Sequence, residues 1–74
     1  MEAKYIKLIS THVYRKFPEM KGIKPKVRLQ STGGSKYLLT FQTVVELALG
    51  RSMPRWVRVV ASDDGEILKI TTSK

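Results

Sequence analysis

Three small groups of side chains in this 74-residue chain have types and spacing from which chemistry could be built. Asp63, Asp64 and Glu66 place three carboxylates within four residues, and paired carboxylates can hold a divalent cation or share acid–base work. They lie in an Asp-Asp-Gly segment between two β-rich runs, where aspartate is favoured for local backbone hydrogen bonding, so a turn is the expected reading. His12 is the single imidazole, and Glu19, seven residues on and beyond Pro18, is not at ligand spacing from it. Gly33-Gly34-Ser35-Lys36 has only a fragment of a phosphate loop, without the full GxxxxGK[ST] spacing or a following helix. Cysteine is absent, which excludes disulfides, thiolate metal sites and a thiol nucleophile. The expectation from these groups is a protein that is not an enzyme and takes no metal or cofactor.

A further group, suited to binding, is Trp56 between Arg55 and Arg58. An aromatic ring can stack on a base while cations meet phosphates. The whole chain supports that reading, with 14 Lys+Arg against 6 Asp+Glu and a net charge of +8. The excess is uneven, because residues 1–30 hold eight basic and two acidic side chains. Such asymmetry favours an anionic partner, nucleic acid or an acidic protein. The candidate nucleic-acid-binding residues are Lys4, Lys7, Arg15, Lys21, Lys24, Lys26, Arg28, Arg55, Trp56, Arg58 and Lys69, with Tyr14 and Tyr37 as weaker stacking candidates.

These residues need elements to position them. Ile6, Ile9, Val13, Phe17 and Met20 recur at helical spacing, which predicts an amphipathic helix over residues 5–17 with Lys4, Lys7, Leu8, Thr11 and Arg15 on its polar side. Pro18 should end it and leave Met20 to reach the core from the next turn. Gly22 and Pro25 then punctuate a basic connector. The remainder alternates with period 2, predicting strands near 26–32, 36–49, 55–62 and 66–72, with turns at Thr32-Gly33-Gly34-Ser35, Gly50-Arg51-Ser52 and Asp63-Asp64-Gly65. Residues 46–54 are ambiguous between an extended hairpin and a short helix.

One helix followed by four strands on short turns predicts an α+β domain over residues 1–74, the N-terminal helix packed on a four-stranded antiparallel β-meander. The expected core sets the helix stripe against Val27, Leu29, Tyr37, Leu39, Phe41, Val57, Val59, Leu68 and Ile70. The outer sheet face should gather Leu38, Val44, Trp56, Val60 and Ile67, more apolar surface than a solvated face usually shows. A homodimeric or adaptor-like protein–protein contact through that face, with Trp56 as anchor and no nucleic-acid role, is therefore the alternative to nucleic-acid binding. The final hairpin, VRVVASDDGEILKI, resembles the closing hairpin of PepSY-type helix-plus-sheet modules, a likeness confined to that segment. No run approaches about 18 apolar residues and no signal-like apolar stretch follows the first basic residues, so a soluble, cytoplasmic protein without transmembrane insertion is expected.

Overall fold

The computed structural model describes residues 1–30 and 36–73. Helix α1 runs Ala3–Lys16, and a single 3-10 turn follows at Pro18–Met20. Phe17, at φ −129° and ψ 83°, leaves helical geometry between them, as a residue before proline does. Strands β1 (Lys26–Leu29), β2 (Lys36–Glu46), β3 (Ser52–Ser62) and β4 (Ile67–Thr72) form one antiparallel sheet in the order β1-β2-β3-β4. The helix lies on one face of this open meander. The expected Thr32–Ser35 turn lies outside the described residues.

The core is the predicted helix stripe against odd-numbered sheet positions. Ile9, Val13, Met20, Leu39, Phe41, Val57, Val59 and Ala61 are fully buried, with Ile6, Tyr14, Phe17, Tyr37, Ile67 and Ile70 packed around them. Cross-strand pairs Leu39–Val59 and Phe41–Val57 form its floor, and Tyr14 meets the Phe41 ring edge-on at 6.1 Å. Met20 reaches the core from the 3-10 turn, because Pro18 stops the helix but not the apolar stripe. At the opposite end Gly65 adopts φ +87°, and a Cβ there would stand 2.8 Å from Cδ1 of Tyr5. Glycine in that turn therefore lets the helix N-terminus close onto the β3–β4 connection.

Three expected core residues are not in the core. Val27 and Leu29 are 38% and 51% exposed, although their partners Leu39 and Tyr37 place them on the helix side. They belong to a short edge strand, while the helix packs over β2 and β3. Leu68 is 46% exposed because a bulge interrupts the β3–β4 ladder. Val60 pairs with Lys69 and Ala61 with Ile67, so Leu68 is the extra residue. One inserted residue reverses the alternation, and Ile67, expected outside, packs on the core instead.

The ambiguous segment resolves as a hairpin. β2 ends at Glu46, Ala48–Gly50 forms a 3-10 turn, and β3 already begins at Ser52, ahead of Pro54. β1 accompanies β2 only as far as Thr40, and β4 accompanies β3 only as far as Val57. Beyond those points β2 and β3 continue alone as a two-stranded arm. Its tip holds Leu49 at φ +64°, with 97% of its surface exposed. The arm lengthens the molecule to 47 × 21 × 15 Å.

Candidate functional site

Even-numbered positions of β2 and β3 form the face turned away from the helix, and the register orders them in cross-strand rows. One row is Lys26, Thr40, Arg58 and Thr71; the next is Arg28, Leu38, Val60 and Lys69. Gln42 and Trp56 form a third row, Val44 and Pro54 a fourth. With strands about 4.8 Å apart, the first two rows spread four cations over roughly 14 Å of open sheet. Neither row contains a carboxylate, and Glu46 at the far end of the arm is the acid that shares their parity. Lys26, Arg28, Leu38, Thr40, Gln42 and Arg58 line a shallow groove of about 260 Å³.

Trp56 is held at the edge of this groove. Its amide N–H donates to Ser73 Oγ at 2.9 Å and its carbonyl accepts from the Ser73 amide at 3.0 Å, which ties the strand beyond the end of β4. The Arg58 guanidinium carbon lies 4.4 Å from the indole centroid, within cation–π range. A base could stack on the guanidinium plane or replace it on the indole. The sequence offered Thr40, Thr71 and Gln42 no role, although the register places them among the cations as neutral hydrogen-bonding groups; only the pairing register reveals that placement.

The structure does not assemble all the predicted binding residues. Lys26, Arg28, Trp56, Arg58 and Lys69 share the outer sheet face. Arg55, expected beside Trp56, pairs with Thr43 on the helix side, because successive strand residues point to opposite faces. Its Nε is buried without a hydrogen-bond partner among the described residues. Lys4, Lys7 and Arg15 line a depression on the outward side of α1 with Leu8, Thr11 and His12, on the opposite side of the molecule from Arg58. Lys4 is further engaged by Glu2 at 3.6 Å and by the Tyr5 ring at 5.0 Å. Lys24 lies beside the helix with Ile6, Lys7, Ser10 and Tyr14, and Lys21 is exposed in the turn before it. Tyr14 and Tyr37 face the core, and the Tyr14 hydroxyl donates to the Ile23 carbonyl. Lys4, Lys7 and Arg15 on the helix and Lys26, Arg28, Arg58 and Lys69 on the sheet thus face opposite ways.

Among the predicted interface residues, Leu38, Val44, Trp56 and Val60 do lie on the outer face, and Ile67 does not. Leu38 and Val60 are half-buried between Arg28 and Lys69. The apolar surface there is smaller than the sequence suggests.

The acidic turn is self-contained. The Ser62 hydroxyl donates to Asp64 Oδ1, and the Glu66 amide donates to Ser62 Oγ at 3.1 Å and Asp64 Oδ1 at 3.3 Å. The Ser62 hydroxyl first, and the Glu66 amide second, hold the Asp64 carboxyl below its ordinary range. Among the described residues no three of His, Cys, Asp and Glu converge as metal ligands, and no helix is long and apolar enough to cross a membrane. No family model, curated protein or solved structure matches the chain.

Proposed function

We propose that the outer sheet face is a non-enzymatic, low-affinity platform for single-stranded nucleic acid. The observation that carries this reading is the pair of adjacent rows that set Lys26, Arg28, Arg58 and Lys69 beside one another with no carboxylate between them and Trp56 at their edge, against Arg58. The cations neutralise phosphates, and the flat Trp56–Arg58 stack accepts bases with little sequence preference. A face-to-face homodimer is less favoured because it would bring the same four cations of each copy together. Like charges placed opposite one another oppose such pairing. The helix-side cations contribute long-range attraction without touching the same strand.

Titration of a short single-stranded oligonucleotide across a salt series, followed by Trp56 fluorescence, tests this. Engagement of all four sheet cations gives a slope of log K against log salt near −2.8, about 0.7 per phosphate contacted. Arg58→Ala and Lys26→Ala should each flatten the slope by about 0.7, whereas Lys4→Ala and Lys7→Ala should leave it unchanged. Absence of binding near 50 mM salt, or equal effects from the helix and sheet variants, overturns the proposal.

A further inference from the structure

We infer that two copies of this chain join edge to edge through the arm portion of β2, centred on Val44. The evidence is the direction of the backbone groups. In an antiparallel ladder each residue points its N–H and C=O to the same side, and successive residues alternate. The Gln30 amide donates to the Lys36 carbonyl at 2.9 Å, so even-numbered β2 residues face β1; the Leu47 amide bonds the Arg51 carbonyl, so odd-numbered ones face β3. The β2–β3 register runs without a shift from Lys36–Ser62 to Glu46–Ser52. Gln42, Val44 and Glu46 therefore aim both backbone groups past the end of β1 into an open edge.

Every other free edge of the sheet carries a feature that resists pairing. On β3, even-numbered residues face β4, as the Trp56–Ser73 and Ser62–Glu66 bonds show. The outward positions on its arm are Ser52, the first residue of the strand, and Pro54 at its middle, which has no N–H to give. The outer edge of β4 is broken by the bulge at Leu68 and carries Lys69. β1 is four residues long with two cations. Among the described residues the β2 arm alone lacks proline, bulge and cation, and it exposes Val44 by 61%.

The edge is complementary to itself. With a two-fold axis at Val44, Val44 opposes its own copy and Gln42 opposes Glu46, giving about six backbone hydrogen bonds of the closely spaced antiparallel type. Glu46 then comes within about two residue rises, roughly 7 Å along the strand line, of the second copy's Lys26. Within one chain the same two residues are about 20 Å apart, six positions along β2 from Thr40 to Glu46. Among the described residues Glu46 is the acid on this face, and it meets Lys26 across the interface and not within its own chain. Because the axis stands perpendicular to the sheet, both helices lie on one side and both cationic faces on the other. The inference does not depend on what those faces bind.

Light scattering after size exclusion should show wild-type mass rising toward twice the chain mass between micromolar and millimolar concentration. Val44→Pro removes an N–H that has no partner among the described residues, so its circular dichroism and melting should persist while dimerisation weakens at least about tenfold. Glu46→Lys should weaken it comparably at low salt, and Glu46→Lys combined with Lys26→Glu should restore it. A strict monomer at millimolar concentration overturns the inference. So does a dimer that folded Val44→Pro leaves intact, or a charge swap that restores nothing.

Discussion

At the scale of single residues, neighbours decide what a polar side chain can do. Asp63, Asp64 and Glu66 are the types from which cation sites are made, yet Asp64 spends its acceptor capacity on the Ser62 hydroxyl and Glu66 amide. That arrangement has a pH signature. Asp64 titrates below the ordinary aspartate range, so its ionised form favours the fold above that range, and the contribution disappears as pH falls through the lowered value. An NMR titration should place the Asp64 midpoint below the ordinary aspartate range, and Ser62→Ala should raise it toward the ordinary value. An unchanged midpoint in Ser62→Ala would show that the hydroxyl is not its main partner. Arg55 makes the same lesson from the other direction. Next to Trp56 in sequence, it stands on the opposite sheet face, and adjacency along a strand separates side chains instead of joining them.

At the scale of elements, apolar periodicity located the helix, all four strands and most of the core. Ile9, Val13, Leu39, Phe41, Val57 and Val59 are buried as the alternation predicts. The error on β4 comes from one inserted residue. A bulge leaves no mark in the residue types of Ile67-Leu68, since both are apolar and only the ladder shows which is extra. The two side chains should therefore respond differently. Ile67→Ala, removing a half-buried side chain packed on the core, should cost about 2 kcal/mol. Leu68→Ala should cost less than about 0.5 kcal/mol. Urea denaturation of the two variants measures the difference, and the reverse order would restore regular alternation in place of the bulge.

At the scale of the whole molecule, the core occupies one end and the arm extends from it. The radius of gyration is 13.1 Å, against about 11 Å for a compact chain of this length. Every fully buried apolar residue lies at or before Phe41 on β2 and at or after Val57 on β3. Replacing residues 44–54 with Asn-Gly, which suits a two-residue hairpin between Thr43 and Arg55, should leave a folded domain. Its melting midpoint, measured at dilution, should stay within about 5 °C of the full chain, a change of roughly 1 kcal/mol. A trimmed chain that fails to fold would make the arm part of the core. Because the helix covers one face of the sheet, cations on α1 and on the outer sheet face look in opposite directions and do not act as one field.

What the sequence alone determined is the architecture, because 3.6-residue and two-residue periodicities are properties of neighbouring side chains and read directly from the chain. It also determined that the chain is basic and that Lys26, Arg28, Trp56, Arg58 and Lys69 can share a face, since parity within a strand is local. Only the tertiary structure decided how far each strand is accompanied. β1 stops opposite Thr40 and β4 opposite Val57, leaving an arm with one open edge and one closed by Pro54. Strand ends, bulges and the directions of edge groups depend on pairing between distant segments, and residue types do not encode that pairing one position at a time.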